Sequence, residues 1–260
     1  MGSRRATDEA VLTALRVAPA TEEDLGPRTG VASGVLADAL ERLAAGGLAR
    51  RRDEPPVGWS LTAAGRREAE RAMAASIDAA EARSVVVAAY EVFRRLDPRL
   101  KAACTRWQVR PVSGVDVVND HADPDHDAAA VAELEAVHAA VLPVVEELGA
   151  AVTSYDGYGR RFSNAIGRVR DGDGTWFAHP LVDSYHTVWF ELHEHLLASL
   201  GLDRSSEART DTEPDGSHRP STLRDAPRGA PTSTQSDPKP DDPSPHPPPD
   251  GLRSPSQEAT

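Results

Sequence analysis

A single cysteine, Cys104, excludes an intramolecular disulfide framework and leaves no thiolate pair for zinc, as expected of a reducing compartment where that residue is a small buried hydrophobe. No basic-then-apolar leader opens the chain, and no apolar run approaches the ~20 residues that span a bilayer. A cytoplasmic protein without membrane contact is therefore expected. There is no P-loop, no glycine-rich dinucleotide fingerprint, no Ser–His–Asp order and no carboxylate pair, so neither catalytic residues nor a cofactor is expected. Lysine is nearly absent too: Arg supplies all but two of the 29 basic side chains.

The formal charge of −12 is spread unevenly. Residues 1–80 carry 11 basic and 12 acidic side chains, residues 81–202 carry 11 and 18, and the remainder carries 7 and 11. An acidic body repels polyanions unless basic groups gather on one face, so local clustering decides. Twelve of the 21 prolines follow residue 203, in a stretch without apolar periodicity that cannot bury enough surface to offset chain entropy. Three parts are expected: residues 1–80, residues 81–203, and a disordered, Pro-rich tail over 204–260.

In the first part, Val11, Leu12 and Leu15 lie at helical spacing, marking a helix over residues 8–18. Thr21-Glu22-Glu23-Asp24 has the form of a capping box for a short second helix closed by Pro27 and Gly30. A third helix from about Ala32 to Ala45 aligns Val35, Leu36, Ala39, Leu40 and Leu43 and ends at Gly46-Gly47. Leu48–Arg52 and Trp59–Leu61 read as two short strands joined through Pro55, Pro56 and Gly58, and Thr62 caps a helix to about Ala80.

This order closely resembles the winged-helix regulators of the MarR and PadR kind. The resemblance rests on Thr29-Gly30-Val31, on Leu43-Ala-Ala-Gly-Gly47-Leu48-Ala-Arg-Arg51, and on Gly58-Trp59-Ser60-Leu61-Thr62-Ala-Ala-Gly65-Arg66. It implies a mainly helical chain with a small β-wing, DNA as a partner, and a homodimer. In such proteins the third helix meets base edges, but here only Ser33 among its exposed positions can donate, and Asp38 carries the wrong sign. Arg28, Arg42, Arg50, Arg51 and Arg52 can grip phosphates without reading bases; the three successive arginines fit a solvated strand edge equally well.

Helical patterning runs almost throughout residues 81–203, giving an all-α bundle or dimerisation arm. Tyr90, Phe93 and Leu96 mark one helix; Asp97-Pro98 supplies a cap and first-turn proline for the next, through Leu100, Cys104 and Trp107. Val131 to Leu148 mark another, starting at Ala128 under Asp125 or Asp127 and kinked at Pro143. A further helix through Tyr155, Phe162 and Val169 ends at Asp171-Gly-Asp-Gly174, and the last opens at Ser184 and closes at Gly201.

Asp123, Asp125 and Asp127 alternate like the start of a calcium loop, but Ala128 stands where glycine is needed and Leu134 where a bidentate Glu is needed. His186 and His193 are seven residues and about 10 Å apart along a helix, too far for one metal. No metal site is expected. Trp107, Gln108, Arg110, His121, Tyr185, His186, Glu191 and His193 can instead line one pocket for a small anionic or polar ligand.

A second resemblance covers nearly the whole patterned chain. Cys104-Thr-Arg-Trp107-Gln108, Asn119-Asp120-His121 and Asp183-Ser-Tyr-His186-Thr-Val-Trp-Phe-Glu191-Leu-His193-Glu194 look like a bacterial module found alone or attached to PEP-utilising proteins similar to pyruvate phosphate dikinase. It implies, as the alternative to a DNA-binding regulator, a regulatory or docking module acting on such an enzyme or another protein partner. With no phosphohistidine loop and no nucleotide-binding glycines, kinase or dikinase chemistry of its own is not expected.

Overall fold

The computed structural model describes residues 2–54 and 57–202; Pro55 and Pro56 of the expected turn, and the tail expected over 204–260, lie outside them. Helix α1, Gly2–Val17, buries Val11, Leu12 and Leu15. It begins about two and a half turns before its apolar stripe, where Arg5 and Glu9 pair one turn apart at 2.7 Å. Helix α2, Glu22–Thr29, opens on the expected capping box: the Thr21 hydroxyl accepts from Asp24 N and the Asp24 carboxylate from Thr21 N. Gly30 ends it in the left-handed region at φ 67°. Helix α3, Ser33–Ala45, buries Leu36, Ala39, Leu40 and Leu43. Strands β1, Ala49–Arg52, and β2, Gly58–Leu61, pair antiparallel with Arg50 opposite Ser60. Helix α4, Ala63–Ala79, starts on the Thr62 hydroxyl, which accepts from Gly65 N. Only glycine fits there, since a Cβ on Gly65 would stand 1.9 Å from the Leu48 carbonyl oxygen.

The next helix corrects the sequence reading. Helix α5, Arg83–Gln108, runs unbroken through Pro98. Proline removes one backbone donor, and Asp97 does not cap: its carboxylate takes the Trp189 indole N–H at 3.0 Å and Lys101 at 2.6 Å, tying the turn sideways. The expected all-α segment also contains a hairpin. Strands β3, Val109–Val112, and β4, Val115–Val118, pair antiparallel around Ser113 and Gly114, both at positive φ, as a two-residue turn of right-handed twist requires.

Helix α6, Pro124–Ala151, begins four residues before the expected start because Asp123 is the cap and Pro124 fits the first turn, where no N–H is needed. By length and composition it is, among the described residues, the one helix long and apolar enough to cross a bilayer, although Glu133, Glu135, Glu146 and Glu147 interrupt its apolar run. It buries Ala130, Leu134, Val137, Val141, Val145 and Leu148 in the core it shares with α5. A 3₁₀ turn, Thr153–Tyr155, leads to α7, Tyr158–Arg170, and α8, Thr175–Ala178; α9, Tyr185–Leu200, is capped by Ser184 and closed by Gly201 at φ 69°.

The fold is thus mainly helical with two small antiparallel hairpins. One apolar cluster joins α1, α2, α3 and the first hairpin around Leu25, Leu40 and Trp59; the other joins α5, α6, α7 and α9 around Phe93, Phe162 and Tyr185. Helix α4 enters both, with Ala69 in the first and Ile77 in the second. Helix α9 touches α1 and α4, so all described residues belong to one compact unit.

Candidate functional site

The residues expected to meet DNA fall into unlike surroundings. Ser33 opens α3 and is exposed beside Gly34, Val35, Asp38 and Glu41, a face with two carboxylates and a half-exposed valine. Arg42 reaches across to Asp8 on α1 at 2.7 Å. Arg50 and Arg51 stand exposed on β1, Arg50 Nε 3.4 Å from the Ser60 hydroxyl and Arg51 3.8 Å from Asp53; Arg52 is half-buried. Arg28 departs from expectation. It points inward, Nη2 2.7 Å from Glu191 Oε1, because a carboxylate buried on α9 requires a cation more than the surface does.

At the far end of α5, Trp107 lies flat on Phe177, with centroids 4.7 Å apart, and His121 covers its other face at 4.4 Å. Asn119 clamps this corner: its amide nitrogen donates to the Trp107 carbonyl and to Asp127 Oδ1, and its oxygen accepts from His121 N. That clamp holds His121 at φ 57°, rare for a residue with a Cβ. Asp127 Oδ2 and Asn119 Nδ2 lie 3.0 and 3.2 Å from His121 Nδ1. Trp107, Gln108, His121 and His179 line a cavity of about 730 Å³. Arg110 stands apart on β3, bidentate to Asp120 at 3.0 Å; that hydrogen bond holds the Asp120 carboxyl below its ordinary range.

The third cluster surrounds α9 where it meets α1 and α2. Glu191 is 3% exposed and receives Arg28 from α2 and Arg161 from α7 at 2.7 Å each; Arg161 is also held by Asp183. One turn away, Arg16 of α1 bonds Glu70 at 2.8 Å and lies 3.7 Å from Glu194. His195, buried, stacks on Tyr155 at 3.9 Å, with Ser154 Oγ 3.3 Å from Nε2 and the Tyr158 hydroxyl 3.4 Å from Nδ1. Burial, reinforced by the charge of Arg16, pushes its pKa down to about 3, so the ring is neutral. Beside it is a cavity of about 330 Å³ between α1 and the start of α7.

The single pocket expected from eight residues is therefore not formed. Trp107, Gln108 and His121 line one cavity and Glu191 another. Tyr185 is fully buried with its hydroxyl 3.4 Å from His138 Nδ1, His193 stacks on Phe93 at 4.8 Å, and His186 is exposed. Helix α9 is packed by α1, α4, α5, α7 and α8, so successive side chains meet different neighbours. Of the partners that complete the clusters, Asn119, Asp127, Asp183 and His195 stand in segments already marked by their histidines, though not as members of the site, and Arg161 carries no signal in the sequence around it. Comparison with family models, with curated proteins and with solved structures gives no match.

Proposed function

We propose that the chain is a winged-helix DNA-binding transcriptional regulator, with its output surface in α1–α4 and the first hairpin, and with a helical body that dimerises and senses a small anionic or polar ligand. The observation that carries this reading is the element order helix, helix, helix, hairpin, helix, with exposed Arg50 and Arg51 on the strand entering the hairpin turn. Contact is with phosphates, since α3 offers one hydroxyl and two carboxylates where base readout needs donors. Signal passes through the Arg28–Glu191 pair, which links α9 to α2, the helix leading directly into α3.

Fluorescence anisotropy with a random duplex at low salt tests the reading. Binding is expected to weaken steeply with salt, and the Arg50→Ala/Arg51→Ala double variant to lose affinity and to flatten the slope of log affinity against log salt by about 0.9 for each contact removed. Absence of binding at low salt overturns it. A second reading, a module docking a protein such as a PEP-utilising enzyme without touching DNA, is favoured by the face of α3, where Val35 is exposed between Gly34 and Asp38.

A further inference from the structure

Among the described residues, one buried side-chain nitrogen or oxygen has no hydrogen-bond partner: Arg28 Nη1. Native proteins leave few such groups, because an unmet donor away from water has lost its hydration with nothing in return. The orphan is not an idle surface atom. Its sister Nη2 is fixed on Glu191, so the guanidinium cannot swing out to solvent without breaking a buried ion pair.

Arg28 stands in the wall shared by two cavities, the one of about 330 Å³ already described and a neighbour of about 830 Å³. Arg160 stands in the same shared wall, exposed, and has no carboxylate partner among the described residues. Ser154 adds a hydroxyl to the lining of both the smaller cavity and the His195 cluster, its Oγ 3.3 Å from His195 Nε2. From α1 and α4 the smaller cavity is lined by Ala10, Ala14, Val17 and Met73, with Glu9, Thr13 and Ser76 among them. Apolar surface for a carbon chain and cationic groups for its acid end thus line one cavity.

We infer that this cavity binds a small organic acid, with its carboxylate between Arg28 Nη1, Arg160 and Ser154 and its apolar body against α1 and α4. The inference rests on the ligand-sensing part of the proposed function and names the chemistry and the place; it needs no DNA contact. A bound carboxylate competes with Glu191 for the Arg28 guanidinium, and so acts on the one buried ion pair between α2 and α9.

Calorimetric titration of the full chain with the straight-chain carboxylates from propionate to octanoate tests it, without DNA in the cell. Saturable 1:1 binding that tightens with chain length is expected, with the matching amides at least tenfold weaker. Arg28→Lys keeps a cation for Glu191 but lacks the second nitrogen, and Arg160→Ala removes an exposed group; each should weaken octanoate at least tenfold while the melting temperature of Arg160→Ala stays unchanged. Absence of saturable carboxylate binding overturns the inference, as do amides that bind equally well or affinity unchanged in both variants. Inorganic phosphate binding as tightly as octanoate also overturns it, because it would mark a bare anion site. Since binding is read without duplex and DNA affinity without ligand, failure of one does not imply failure of the other.

Discussion

Removing the Glu191 carboxylate tests the central joint of the molecule. Glu191 is 3% exposed and is shared by Arg28 and Arg161, whose side chains are 21% and 13% exposed. Breaking one member of a buried pair costs about 3–5 kcal/mol, because the uncompensated charge stays buried. Arg161 keeps Asp183 in the Glu191→Ala variant, and Arg28 keeps some solvent, which sets the expectation near the lower bound, about 3 kcal/mol. For a domain of this size that is a fall in melting temperature of about 6–12 °C. Glu191→Gln, which retains volume and one acceptor, should lose less. Denaturant unfolding followed by circular dichroism measures both, and a double-mutant cycle with Arg28→Met isolates the pair, with a coupling of about 1–3 kcal/mol expected. A loss below about 1 kcal/mol in Glu191→Ala, or a cycle that closes additively, refutes the view that this pair joins α2 to α9.

Three further outcomes follow from single groups. His195 is neutral when folded because burial lowers its pKa from 6.5 to about 3; above pH 6.5 neither state binds its proton, and below it the unfolded chain gains one that the native state refuses. Stability should therefore fall by up to about 1.4 kcal/mol per pH unit as the pH drops below 6.5, and His195→Gln should flatten that dependence in acid-unfolding titrations. Burial pushes the Cys104 thiol up to about 12, so a thiol reagent should label it only as fast as the protein unfolds; rapid labelling of native protein contradicts the packing. Gly65→Ala drives a Cβ into the Leu48 carbonyl and should cost about 3 kcal/mol, the upper end for overpacking, by chemical denaturation, where a neutral result shows that α4 does not seat on the strand entry.

What was legible in the sequence was local. The Thr21–Asp24 box, Gly30, Thr62, Ser184 and Gly201 act within four residues of themselves, so their roles survive into the structure unchanged. The second hairpin does carry a signal, Ser113-Gly114 between Val112 and Val115 as a two-residue turn, but it lies inside a segment whose patterning is helical on either side. Pro98 was read as a boundary because the alternative use of Asp97, holding Trp189 from α9, has no signature in the residues around it. The candidate site failed for the same reason on a larger scale. Residue type identified Glu191 and His121 as chemically rich, whereas their partners, Arg28 with Arg161 and Asn119 with Asp127, are set by which helices pack together.

Pairing also changes what the charge count means. The 11 basic side chains of residues 1–80 nearly balance the acidic ones, but they are not equivalent. Arg5, Arg16, Arg28, Arg42 and Arg71 each have a carboxylate within bonding distance, so their fields are cancelled locally. Arg66 and Arg67 are exposed in the first turn of α4 with no carboxylate partner among the described residues, and Arg50 is exposed on β1 beside Arg51, which lies 3.8 Å from Asp53. These two places are neighbours, because Gly65 packs on the Leu48 backbone one residue before β1 begins. Within residues 1–80, exposed arginines without a carboxylate partner thereby gather beside the first hairpin rather than on α3. On the proposed reading, a polyanion drawn to that edge by charge meets Asp38 and Glu41 if it turns toward α3, which is why the proposed DNA contact is one of phosphate rather than base.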